Sequence, residues 1–124
     1  MTERHILVVA HTGRDESLDA AVRVVHLLRD AGVVPVVPAE SLDDLRGAAG
    51  DGTLLVLERD VGVGDIELVI VLGGDGTILR AAELSRGGSA PLLGVNLGHV
   101  GLDPLRATDA AVEALAVTLF QPQP

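Results

Sequence analysis

The chain has 124 residues, which is the size of one compact domain. Hydrophobic residues make up 48% of it and Phe120 is the only aromatic residue, so the core is aliphatic and no aromatic platform can stack nucleic-acid bases. The net charge of −9 argues against a nucleic acid or an anionic membrane surface as partner. Lysine and cysteine are both absent, which excludes a Walker-type phosphate-binding lysine, thiolate nucleophiles and cysteine-ligated metals.

The first part of the chain alternates a short β-branched run with an amphipathic stretch. Residues 6–10 predict a strand. The helix predicted after it has apolar residues every three or four positions: Leu18, Ala21, Val22, Val25 and Leu28. Gly32 is placed to end this helix, and residues 33–37 predict the next strand. Pro35 favours an edge position for that strand, because proline cannot donate a hydrogen bond to a neighbouring strand.

The middle of the chain continues the same alternation. Residues 39–50 predict a helix and residues 53–57 a further strand. The run at 68–72 has no polar alternation, which is typical of an interior parallel strand covered on both faces. A helix is predicted over 77–86, with most of its apolar residues directed inward: Ile78, Leu79, Ala82 and Leu84.

The order of these elements predicts the fold class. A strand at 91–95 and a helix capped by Thr108 complete the pattern, and residues 121–124 form a tail. Alternating strands and helices predict a doubly wound α/β domain with a mainly parallel sheet over residues 1–120. The polar start and the short apolar run after it predict neither a signal peptide nor a membrane span, so we expect a cytoplasmic protein.

Three glycines surround one acidic residue at the end of the 68–72 strand: Gly73, Gly74 and Gly76 around Asp75. Ligands of open α/β sheets bind beyond the carboxyl ends of the strands, and a helix N-terminus offers free N–H groups to a phosphate. A carboxylate there is repelled by phosphate unless it holds a metal or accepts a hydrogen bond from a hydroxyl, whose proton it can then take. The alternative is a tight turn in which Asp75 only caps the helix.

Other polar residues follow the remaining strands. Asn96 comes directly after the 91–95 strand, and it either contacts a substrate or organises its own loop. The loop at 11–14 allows a further phosphate contact, although an ordinary polar loop is the better explanation. The chain has four histidines, which share no metal-ligand spacing: His5, His11, His26 and His99. We therefore predict no metal site built from protein side chains.

Two segments resemble the amino-terminal domain of the NAD kinases: residues 73–82, GGDGTILRAA, and residues 96–101, NLGHVG. The GGDGT core is also found in the diacylglycerol-type lipid kinases. The TxLRAA extension and the NLGxxG segment are more specific to NAD kinases. The resemblance implies the doubly wound amino-terminal fold of that family and extends over nearly all of the chain.

The resemblance also implies roles for individual residues. Asp75 would accept a proton from the 2′-hydroxyl of the adenosine ribose of NAD. Gly76 would contact the dinucleotide, and Arg80 would bind its charged part. We expect Arg80 on the same side of the helix as Asp75, and the alternative is an exposed, solvating arginine. The other implied nucleotide-binding residues are Gly73, Gly74, Thr77 and Asn96. The glycine-loop amides would hold phosphoryl groups of ATP or polyphosphate together with a divalent metal, Mg²⁺ or Mn²⁺.

The sequence also departs from the family pattern. NAD kinases usually continue the second segment with Phe-Leu, where this chain has Leu102 and Asp103. They carry a β-rich carboxyl-terminal domain that these 124 residues do not include, so we expect little or no kinase activity from the isolated chain. Family members are generally homo-oligomers. Two alternatives remain: a diacylglycerol-type lipid kinase domain and a non-catalytic nucleotide-binding module.

Overall fold

A computed structural model of the chain describes residues 3–11, 15–50 and 52–95. The strands are β1 His5–Ala10, β2 Val34–Val37, β3 Leu55–Val56, β4 Leu68–Leu72 and β5 Leu92–Val95. The helices are α1 Asp15–Asp30, α2 Leu42–Ala49 and α3 Asp75–Leu84, and short 3₁₀ turns lie at Ala39–Ser41 and Val63–Asp65. The predicted helix at Thr108 and the tail at 121–124 lie outside the described residues.

The strands form one parallel sheet in the order β3-β2-β1-β4-β5. The interior strands are the most apolar: Ile6, Leu7 and Val8 of β1 have no exposed surface, and Val69 of β4 is also fully buried. Continuous burial is expected of parallel strands that have helices on both faces. The prediction of a doubly wound α/β domain is confirmed, as is the interior position of the 68–72 strand.

Alternate residues of β1 face opposite layers. Ile6 and Val8 belong to the apolar cluster of α1 and α2, whereas Leu7 and Val9 belong to the cluster that contains Ala81 of α3. From β1 the chain crosses through α1 to β2, and from β4 it crosses through α3 to β5 in the opposite direction along the sheet. The carboxyl ends of β1 and β4 therefore mark the topological switch point, where doubly wound folds bind ligands.

The predicted edge position of the strand containing Pro35 is wrong. β2 pairs with β1 on one side and with β3 on the other. Proline is tolerated because β3 reaches only Val36 and Val37. The N–H of Val34 donates to the carbonyl of Arg4, so the nitrogen of Pro35 faces the opposite side, ahead of the point where β3 begins. No ladder hydrogen bond is lost there.

The inward orientation predicted for the apolar residues of α3 is also wrong. Ala81 is the buried residue of this helix, Leu84 is half-buried, Ile78 is 41% exposed and Leu79 is 68% exposed. The helix packs against β4 and β1, and it contributes Ala81 and the partly buried Leu84 to the apolar cluster on that face, so its remaining apolar residues project away from the sheet. Amphipathic spacing indicated a helix correctly but did not reveal which face would be covered.

None of the helices in the described ranges is long and apolar enough to cross a membrane.

Candidate nucleotide-binding site

Gly73 makes the turn from β4 into α3. Its φ of +154° lies in a region that L side chains rarely adopt, and a Cβ at this position would stand 2.5 Å from the Oγ1 of Thr77. Its N–H donates to the carbonyl of Val95 at 3.1 Å, which joins the turn to β5. Gly73 is therefore required by the fold, and Thr77 packs directly over it.

The first turn of α3 presents free donors at the switch point. The carbonyl of Gly74, the N-cap residue, accepts hydrogen bonds from the N–H groups of Thr77 and Ile78, both at 3.1 Å. Within the described part of the chain, the N–H groups of Gly74, Asp75 and Gly76 have no backbone acceptor. Such free donors, together with the positive end of the helix dipole, form an anion-binding surface.

Glycine at positions 74 and 76 is not explained by packing. A Cβ added to either residue would meet no atom of the described residues within 4 Å, and neither has a positive φ. Glycine inside a helix is about 1 kcal/mol less favourable than alanine, so Gly76 weakens the first turn of α3. Both positions leave open space directly beside the free amides, which is what a ligand approaching the backbone needs.

Asp75 is the first residue of α3, and its side chain is exposed. The N-cap residue is Gly74, which provides no side-chain cap, so Asp75 does not serve as the N-cap. A carboxylate in the first turn is stabilised by the helix dipole and by neighbouring N–H groups. The structure thus places an exposed carboxylate at the carboxyl end of an interior strand, beside the free amides of the same turn.

Arg80 lies on the same helix as Asp75, five positions further along. At about 100° per residue this places the two residues roughly 140° apart around the helix axis, so the expectation of a shared helix side is wrong. The Nε of Arg80 donates to the Oε1 of Glu40 at 2.8 Å, and its Nη1 donates to the Oε2 of Glu83 at 3.2 Å. These carboxylates, Glu40 first, raise the pKa of Arg80 above its ordinary value.

Glu40 was not found by the sequence analysis. It lies in the 3₁₀ turn Ala39–Ser41 that follows β2, and 40 positions separate it from Arg80. The contact arises only when the sheet brings the carboxyl ends of β2 and β4 to one edge. No local motif marks Glu40. Asn96 and the NLGHVG segment lie outside the described residues, so their predicted contacts remain predictions.

The described side chains fit a divalent metal only if bound phosphate supplies further ligands. In the ranges that the structure describes, no three His, Cys, Asp or Glu side chains come together as a metal site. Mg²⁺ commonly takes one or two carboxylates and completes its coordination with substrate phosphates and water. Asp75 is the carboxylate next to the anion-binding amides, and it can supply one such ligand.

The sheet order and the glycine turn together define a doubly wound α/β domain with a helix N-terminus at its switch point. The family model for the ATP-NAD kinase N-terminal domain matches residues 6–119. The chain belongs to the NAD kinase family.

Named relatives agree with this assignment. The NAD kinase of Leifsonia xyli is 60% identical over 100 residues, which cover 80% of this chain and 33% of that protein. The NAD kinase of Mycobacterium leprae is 42% identical over 127 residues, covering 94% of this chain and 39% of that protein. That of Thermobifida fusca is 47% identical over 102 residues, covering 81% and 31%. The chain thus spans about a third of the length of these curated relatives.

Proposed function

We propose that residues 1–120 are the nucleotide-binding domain of an NAD kinase, which phosphorylates the 2′-hydroxyl of the adenosine ribose of NAD to make NADP. The proposal is supported by family membership over residues 6–119 and by relatives that are themselves named NAD kinase. The donor is ATP or polyphosphate. We further propose that the protein acts in the cytoplasm, as its polar start and lack of cysteine favour, and that it is a homo-oligomer, as the family resemblance implies.

Asp75 has the position and chemistry of the proton acceptor. Its exposed carboxylate accepts a hydrogen bond from the ribose 2′-hydroxyl and takes the proton as the hydroxyl oxygen attacks the terminal phosphorus of the donor. The new P–O bond forms at the ribose oxygen, and the P–O bond to the leaving group, ADP or the shortened polyphosphate, breaks with its electron pair remaining on the leaving oxygen. Phosphoryl transfer asks the protein mainly for positioning and charge stabilisation, which suits a backbone cradle.

The remaining residues of the turn contribute to nucleotide binding and take no part in the chemical step. The N–H groups of Gly74, Asp75 and Gly76 donate to phosphoryl oxygens, while Gly73 and Thr77 hold the turn in shape. Arg80 supplies a positive charge for the nucleotide, and Asn96 a polar contact from the next loop. Asp75 would hold a divalent metal, Mg²⁺ or Mn²⁺, together with the donor phosphates, and the metal would supply positive charge that neutralises them.

One observation carries this proposal: the open space at Gly74 and Gly76 beside free amides, which the fold itself does not need. It predicts that Gly76→Ala leaves the free energy of unfolding unchanged or raises it by up to about 1 kcal/mol. The same change is expected to weaken binding of NAD or ATP at least about tenfold, because the methyl group occupies ligand space.

Isothermal titration calorimetry and urea denaturation of the 124-residue chain measure the two effects. Gly47→Ala is the matched control, since Gly47 also lies within a helix and also has nothing within 4 Å of an added Cβ. A Gly76→Ala chain that binds nucleotide as tightly as the control would contradict the proposal. Nucleotide binding without any NADP formation by the full-length gene product would favour a non-catalytic module, and transfer to a lipid alcohol but not to NAD would favour a lipid kinase.

A further inference from the structure

The guanidinium of Arg80 already has carboxylates on both of the edges that normally grip an anion. A guanidinium binds phosphate or carboxylate in a forked manner, through Nε and Nη2 on one edge or through Nη1 and Nη2 on the other. Glu40 takes Nε at 2.8 Å and Glu83 takes Nη1 at 3.2 Å. Each edge therefore has one donor occupied, and a forked contact with a nucleotide must displace one of the two carboxylates.

The two carboxylates differ in how they are attached. Glu83 sits three residues after Arg80 on the same helix and moves with it. Glu40 belongs to the turn after β2, a separate element. One guanidinium faces two carboxylates, so the cluster carries a net negative charge, which repels a phosphoryl group approaching Arg80.

The Arg80–Glu40 pair contributes little to the stability of the fold. Both side chains are about half exposed, at 46% and 54%, and such exposed pairs contribute little to folding. A weak pair can still alter the affinity for a competing anion by up to about fivefold. The main consequence of the pair is therefore its effect on the binding of other anions by Arg80.

We infer that Glu40 sets the anion affinity of the nucleotide site by competing with phosphoryl oxygens for the guanidinium of Arg80. The inference rests on the proposed function, since it takes Arg80 as a contact of the nucleotide. In the free protein Glu40 holds Arg80, and bound phosphate displaces Glu40 from Nε. Glu40 acts through Arg80 and does not touch the reacting atoms.

The inference is tested with Glu40→Gln, which removes the competing charge and keeps the size of the side chain. We expect this variant to bind ATP and inorganic tripolyphosphate about two- to fivefold more tightly than the unchanged protein, measured by titration calorimetry at low salt. Asp43→Asn is the matched control because it removes one negative charge from the exposed first turn of α2. The gain should vanish in an Arg80→Ala background and shrink as salt is raised.

Several outcomes would overturn the inference. Equal affinity in Glu40→Gln and Asp43→Asn would show only a general effect of net charge, and weaker binding in Glu40→Gln would show that Glu40 positions Arg80 for the ligand. An increase in affinity that persists in the Arg80→Ala background would equally contradict the inference. If Gly76→Ala loses nucleotide binding while Glu40→Gln gains none, the inference fails and the proposed function stands. An unchanged chain with no affinity for ATP or NAD would overturn both.

Discussion

Replacing Asp75 with asparagine is expected to lower the rate of NADP formation by about 10²–10⁴-fold, the usual contribution of a positioned general base. The substitution keeps the shape of the side chain but removes the carboxylate that accepts the proton of the ribose hydroxyl. Because Asp75 is exposed and is not the N-cap residue of α3, the fold should tolerate the change with little loss of stability. The rate is measured as NADP formed by the full-length gene product with saturating NAD and ATP.

The control for this experiment is Asp65→Asn, which removes another exposed carboxylate from the turn ahead of β4. That variant should retain the rate of the unchanged enzyme within about twofold, a difference of roughly 0.4 kcal/mol. Binding of NAD by the Asp75→Asn protein should persist, since the backbone amides are intact. A rate within about tenfold of the unchanged enzyme would remove Asp75 from the role of general base.

The Gly73→Ala substitution is expected to lower the free energy of unfolding by about 1–3 kcal/mol, because a side chain is forced into a strained backbone region and into contact with Thr77. The φ of +154° and the 2.5 Å approach of an added Cβ to the Thr77 Oγ1 both oppose the change. Urea denaturation of the 124-residue chain measures it as a lower midpoint with an unchanged slope.

Gly74→Ala is the neighbouring control. Its φ of −102° and ψ of −160° suit any residue, and an added Cβ meets nothing within 4 Å. This variant should unfold within about 0.5 kcal/mol of the unchanged chain. If Gly73→Ala were as stable as Gly74→Ala, the account of how β4 turns into α3 would be wrong.

Much of the fold could be predicted because buried parallel strands have a recognisable sequence pattern. The runs at 6–10 and 68–72 have no polar alternation, and this is the pattern that burial on both faces requires. Gly32 stands where α1 ends, with a φ of +76°. The position of Asp75 at the mouth of an interior strand followed from the same local order of strand, glycine turn and helix.

The predictions that were wrong or missed concern features that depend on contacts between segments distant in the sequence. The place of β2 in the sheet depends on how far β3 extends, which Pro35 alone does not reveal. The exposure of Leu79 depends on which strip of α3 meets the sheet. The pairing of Arg80 with Glu40 exists only because two carboxyl ends of strands meet at one edge. Spacing along the chain contains none of this information.

The most direct measurement follows the amide signals of the 124-residue chain by ¹H–¹⁵N correlation spectroscopy during titration with NAD and with tripolyphosphate. We predict saturable shifts of the Gly74, Asp75 and Gly76 amides with both ligands, since their free N–H groups would become hydrogen-bonded to phosphoryl oxygens. The Gly73 amide, already bonded to Val95, should shift less. Saturable shifts confined to other parts of the chain, with these three amides unchanged, would contradict the account.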